Sequence, residues 1–174
     1  MTQNELDKIL KLHEKWLYGE KDGRRANLSY ANLTGADLTS ANLTGANLKG
    51  AKLKGVYADE TTAFFHLQCP EEGSYIAYKK CRYDMIVKLL IPEDAKRSSA
   101  TKRKCRASKA KVLSITNING TENFEEAISC YNSDFIYKIG EIVEVESFDE
   151  DRWNECSTGI HHFITRDEAV NYDA

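Results

Sequence analysis

Apolar residues recur along this chain with three different spacings, and each spacing predicts a different element. Between residues 3 and 18, Leu6, Ile9, Leu10, Leu12, His13, Trp16 and Leu17 fall mainly on one helical face. Glu5, Asp7, Lys8, Lys11, Glu14 and Lys15 lie elsewhere, which predicts an amphipathic helix ended by Gly19 or Gly23. From Ala26 to Gly55 a leucine returns at every fifth position, from Leu28 to Leu53, with an alanine two residues before it. A period of five matches neither a helix (3.6) nor a strand (2), and it excludes a heptad coiled coil. The chain must turn a corner in every unit and point each leucine inward. Beyond residue 61 this period disappears and aromatic and β-branched residues rise. Strands are predicted over Tyr75–Lys80, Met85–Ile91, Lys111–Thr116, Phe135–Ile139 and Glu141–Ser147. Asn119-Gly120 reads as a turn and Glu122–Cys130 as a short helix. Thr165-Arg166-Asp167-Glu168 fits a capping box opening a C-terminal helix.

The predicted fold is therefore mixed. Residues 1–23 form an N-terminal capping helix, 24–60 a repeat segment, and 61–174 an α+β domain with a mostly antiparallel sheet. A helix beside stacked repeats covers an open end that would otherwise expose leucines and unpaired backbone. Dimerisation is the other use open to it. Six buried leucines do not offset the entropy of ordering thirty residues, so the flanking segments must share the repeat core.

The units from Ala26-Asn27-Leu28-Ser29-Tyr30 to Ala51-Lys52-Leu53-Lys54-Gly55 carry the pattern A-(N/D)-L-x-x, with Lys52 departing from it. They resemble the pentapeptide-repeat family, closely over 26–55 and loosely over 56–60. The resemblance implies a short right-handed quadrilateral β-helix of about one and a half coils. Some members of that family mimic DNA and bind type II topoisomerases. Between Arg24 and Gly55, however, Asp37 is the single acid, whereas Arg24, Arg25, Lys49, Lys52 and Lys54 are basic. A duplex mimic needs a dense negative row, so DNA mimicry is not expected. Tyr75–Cys81, Ile91–Ser99, Cys156–His161 and Phe163–Arg166 resemble an uncharacterised domain that follows such repeats in phage and prophage proteins, over roughly residues 64–172. That resemblance implies a phage or prophage origin and a bacterial host cytoplasm, and brings no activity with it.

Composition narrows the function classes. The chain has 174 residues and a formal net charge of −3, so overall charge does not call for a nucleic-acid partner. Its five cysteines are scattered and form no C-x-x-C pair, which fits a reducing compartment better than a disulfide framework. No apolar run is long enough to span a membrane, and no motif calls for a cofactor.

Two clusters are candidates for chemistry. Lys96, Arg97, Ser98, Lys102, Arg103, Lys104 and Arg106 concentrate positive charge and hydroxyls that suit a phosphate-bearing, nucleotide-like anion. The other reading of this cluster is a solvated loop or hairpin that offsets the acidic stretch Glu141–Asp151. Cys156 with His161 and His162 has the residue types of an activated nucleophile and its base. The other reading there is a turn feeding a buried strand, with one histidine inside and satisfied. The spacing matches no zinc signature, and no metal site is assigned. The leading expectation is a non-enzymatic binding or assembly module whose partner is a host protein or an anionic small molecule. A Cys/His-dependent enzyme and a self-associating structural protein, a homo-oligomer, remain open.

Overall fold

A computed structural model describes residues 1–173; Ala174, the last residue of the expected third segment, lies outside the described residues. The chain divides into two compact units. The first comprises Met1–Gln68 together with Ser99–Lys102 and Asp151–Ser157. The second comprises Cys69–Ser98, Arg103–Glu150 and Thr158 onward.

The first unit opens with helix α1 (Gln3–Leu17). Thr2 and Glu5 close a capping box at its start, and Gly19 follows its end in the left-handed conformation. Leu6 and His13 are buried, and Ile9 and Leu10 pack with them against the repeat leucines. Leu28, Leu33, Leu38, Leu43 and Leu48 are all buried, as the five-residue spacing requires. The repeat backbone pairs with itself in parallel twenty residues further on, at Asn27 with Asn47, Asn32 with Lys52 and Asp37 with Tyr57. Two features explain the repeat consensus. The Asn or Asp at the second position accepts the backbone N–H two residues later, as Asn27 does from Ser29 and Asp37 from Thr39. The fifth residue is left-handed, which favours glycine there. Gly50 also abuts the Tyr30 ring, which would lie 2.7 Å from an added Cβ.

Helix α1 supplies backbone partners that the first repeats lack. The Gln3 amide donates to the Asp37 carbonyl at 2.9 Å and accepts the Asp37 N–H at 3.0 Å. His13 Nδ1 accepts the Ala26 N–H at 3.2 Å.

The second unit holds three antiparallel sheets. Strands β1 (Tyr75–Lys80), β2 (Ile86–Ile91), β5 (Lys109–Thr116) and β8 (Ile142–Glu144) form the largest, in that order. Strands β3 (Arg97–Ser99), β4 (Cys105–Ala107) and β9 (Ile160–His162) form the second, and β6 (Glu126–Ile128) pairs with β7 (Ile136–Lys138). Helix α2 (Arg166–Val170) opens on the expected Thr165–Glu168 capping box. Between β1 and β2 the chain turns through Tyr83 and Asp84, both at positive φ. The core of this unit includes Ala77, Val87, Leu89, Val112, Ile115, Tyr137 and Ile160.

Two local expectations are corrected. The helix expected over Glu122–Cys130 is strand β6, because Ala127 is buried opposite Tyr137 and pairing overrides the helix propensity of its glutamates. The strand expected over Glu141–Ser147 is shorter: Val143 points inward and Ile142 is 64% exposed.

Candidate functional site

The basic cluster folds into β3, β4 and the turns around them, and its charged members already have partners within the chain. The Arg97 guanidinium donates to the carbonyls of Pro70, Gly73, Pro92 and Glu93 at 2.9–3.0 Å, while its Nε reaches that of Ala95 at 3.3 Å. It also lies over the Tyr75 ring, 5.2 Å from the centroid. Ser98 is buried. Arg106 is 3% exposed; it donates to the carbonyls of Asp149 and Thr158 and covers the Phe148 ring. Arg103 pairs with Glu168 at 2.6 Å, Lys96 pairs with Glu150, and Lys104 sits over the Tyr172 ring. These six residues belong to the second unit.

Lys102 is placed differently. It lines a cleft of about 280 Å³ within the first unit. Two segments distant in sequence, Ser99–Lys102 and Asp151–Ser157, pack beside the repeats to form this cleft. Thr101 anchors the first segment: its N–H donates to Glu155 Oε1 at 3.0 Å. Its hydroxyl, 2.7 Å from the Ala46 carbonyl, lies 2.8 Å from the same carboxylate oxygen. Trp153 anchors the second, with its ring 5.8 Å from Phe65 and under the Arg152 guanidinium.

Arg25 and Lys49, both on the repeats, join Lys102 on the lining. The lining thus carries three cations and one carboxylate, that of Glu155, which Thr101 and Lys102 already engage, while Arg25 Nε donates to the Gly45 carbonyl at 2.5 Å. Asn47, whose Nδ2 donates to Asn27 Oδ1 at 3.1 Å, Asn154 and Trp153 are also on the lining. Cys156, the exposed cysteine, lies on the same cleft. Two residues singled out in separate sequence clusters, Lys102 and Cys156, therefore line one site. Arg25 and Lys49 stand out in the sequence only as basic residues on the repeats.

The histidines belong to the second unit. His162 is fully buried; its Nδ1–H donates to the Ile160 carbonyl at 2.9 Å, which leaves Nε2 to accept the Tyr75 hydroxyl at 3.0 Å. Burial pushes its pKa down to about 4. His162 is the satisfied inner histidine, and with both ring nitrogens engaged it is not free to act as a base. His161 is half-buried, and its carbonyl accepts from the buried Lys79 ammonium, whose pKa burial lowers.

Cys69, Cys81 and Cys105 are buried and Cys130 is half-buried. Among the described residues no three His, Cys, Asp or Glu side chains come together as metal ligands, and no helix is long and apolar enough to cross a membrane.

Residues 24–57 match the pentapeptide repeats. Residues 65–169 match DUF5758, a family of unknown function. No curated protein and no solved structure matches the chain. The family match covers most of the sequence, including both segments that line the cleft beside the repeats, and the chain belongs to the DUF5758 family.

Proposed function

We propose that this protein is a non-enzymatic binding module that takes a small, nucleotide-like anion in the cleft beside its repeats. The observation carrying this reading is the charge of the cleft: Arg25, Lys49 and Lys102 converge there against one engaged carboxylate, in a chain whose net charge is −3. Lysine and arginine bind phosphate through charge. A volume of about 280 Å³ admits a ligand no larger than a mononucleotide. The repeat segment is the rigid wall of this site. We infer that it is a right-handed quadrilateral β-helix, a reading supported by its parallel pairing at twenty-residue intervals. A phage or prophage setting, suggested by the resemblance of the second half, belongs to the same proposal.

Calorimetry with nucleoside mono- and diphosphates and inorganic phosphate tests the reading. A mononucleotide is expected to bind, and Lys49→Ala with Lys102→Ala to weaken it at least about tenfold. Arg103→Ala, outside the cleft, is expected to leave binding unchanged. Bound nucleotide is also expected to slow alkylation of Cys156. Absence of binding by all of these anions, or binding insensitive to the double substitution, refutes the proposal.

A further inference from the structure

The cleft beside the repeats is lined by a backbone donor that the chain itself leaves without an acceptor. In the first repeats the backbone hydrogen bonds run to the unit twenty residues later. Asn47 takes part in two of them: its N–H donates to the Ala26 carbonyl at 3.0 Å, and its carbonyl accepts the Leu28 N–H at 2.8 Å. The same exchange joins Lys52 to Ala31 and Leu33, and Tyr57 to Ala36 and Leu38. Leu48 stands twenty residues after Leu28 in the same position of its unit. Its N–H therefore points onward, away from the units already paired.

The segment Ser99–Lys102 continues this pattern only in part. The Thr101 carbonyl accepts the Gly45 N–H at 2.8 Å, and the Thr101 hydroxyl lies 2.7 Å from the Ala46 carbonyl. Ala46 is the counterpart of Ala26, so this hydroxyl stands where the Asn47 N–H stands for Ala26. The counterpart of the Asn47 carbonyl is not supplied. Among the described residues the Leu48 N–H has no acceptor, although Leu48 is 2% exposed. A buried N–H without an acceptor costs about as much as a lost hydrogen bond. This donor is also fixed in place, because the Leu48 carbonyl accepts the Ala51 N–H at 3.0 Å and Asn47 Oδ1 accepts the Lys49 N–H at 3.2 Å. Leu48 lines the cleft together with Lys49 and Lys102.

We propose that the ligand of this cleft is a phosphomonoester, and that one of its terminal phosphate oxygens accepts the Leu48 N–H. This rests on the anion-binding reading above, and adds which end of the ligand enters and which class of phosphate fits. A fixed backbone N–H beside cations is a common element of phosphate sites. A phosphomonoester carries three unesterified oxygens and a charge approaching −2 at neutral pH. One oxygen meets the Leu48 N–H, and two remain for the ammonium groups of Lys49 and Lys102. The lining holds Arg25, Lys49 and Lys102 against the single carboxylate of Glu155, an excess of positive charge that suits a dianion. A phosphodiester has one oxygen and one charge fewer, and leaves one of these donors without an acceptor.

The test combines calorimetry with amide-resolved NMR and hydrogen exchange on the full chain, with adenosine monophosphate and its phosphate methyl ester as probes. Adenosine monophosphate is expected to move the Leu48 amide proton downfield and, at saturation, to slow its exchange at least about tenfold. The Leu53 N–H also lacks an acceptor among the described residues but does not line the cleft, and it is expected to stay unchanged. The methyl ester is expected to bind at least about tenfold more weakly, because a charge-assisted hydrogen bond is lost. Bound adenosine monophosphate that perturbs Leu48 no more than Leu53 would overturn the proposal, as would equal affinity for the ester. Either result leaves the anion reading standing, since that depends on the loss of binding in Lys49→Ala with Lys102→Ala. Failure of both probes to bind also overturns the proposal; the anion reading then falls only if inorganic phosphate and nucleoside diphosphates fail to bind as well.

Discussion

Acidification between pH 6.5 and 5 is expected to destabilise this protein through its buried histidines. His162 is held neutral by burial, with its pKa lowered from an ordinary 6.5 to about 4; Lys79, His161 and Arg97 add repulsion to its charged form. The unfolded chain therefore takes up a proton near pH 6.5 that the folded chain resists until about pH 4. Stability is fully present above the unfolded value and falls as pH drops towards the folded one. A separation of about 2.5 pH units corresponds to about 3 kcal/mol, of which about 2 kcal/mol is lost by pH 5. His13 is buried at the face between α1 and the repeats, and burial lowers its pKa too, so it acts in the same direction. The carboxylates whose pKa values are lowered, such as Asp37 and Glu168, have unfolded values near 4, and their loss begins below this window. Urea denaturation at half-unit intervals from pH 7.5 to 5 measures the slope. His162→Gln is expected to flatten it while lowering stability at pH 7.5, because the Tyr75 hydroxyl and Ile160 carbonyl lose their partner. A wild-type curve flat between pH 6.5 and 5, or a slope unchanged in His162→Gln, would refute the argument.

Arg97→Ala is expected to cost about 2–4 kcal/mol in urea denaturation, because five backbone carbonyls lose one charged donor; Arg97→Lys should lose most of that too, since an ammonium cannot reproduce the planar fork. Leu38→Ala, which opens a cavity among the repeat leucines, is expected to cost about 2–5 kcal/mol by the same measurement. Gln3→Ala removes both bonds to the exposed Asp37 backbone and is expected to cost about 1 kcal/mol, with faster amide exchange at Asp37. Gly50→Ala meets both a left-handed backbone and the Tyr30 ring, and a lowered thermal midpoint is expected.

How much of this was legible in the chain depends on the range of the interactions involved. The five-residue leucine period reports side-chain direction at each unit, and Leu28 to Leu48 are buried accordingly. The bounds of β1 and the Thr165–Glu168 box were readable because alternation and capping are local. Strand β6 was not. Glu126 and Ala127 favour a helix, and only pairing with Tyr137 and Lys138 makes them extended. At β9 the sequence implied one inner histidine without saying which, and the structure buries His162 together with Ile160. Nothing near Tyr75 in sequence points to His162, because only the fold brings the Tyr75 hydroxyl on β1 to the imidazole on β9.

The candidate cleft shows why a run of basic residues is a poor measure of local potential. Arg97 and Arg106 are costly to bury, and the protein offsets that cost by surrounding them with backbone carbonyls that would otherwise need other partners. Such cations are already neutralised by oriented dipoles and leave little field for a ligand. Arg25, Lys49 and Lys102 are fewer and lie far apart in the chain, yet they converge on a concave surface with one carboxylate. Arg25 is itself held by the Gly45 carbonyl and Lys102 lies 3.9 Å from Glu155, so the pull on an anion comes from the excess of cations over carboxylates on this concave lining rather than from unpaired charge. The second segment of the cleft, Asp151–Ser157, supplies Glu155, which braces Thr101 beside Lys102, and Trp153, which holds the segment against the repeat core. Removing Trp153 would therefore disturb the site through its geometry, whereas removing Lys102 would disturb it through its charge.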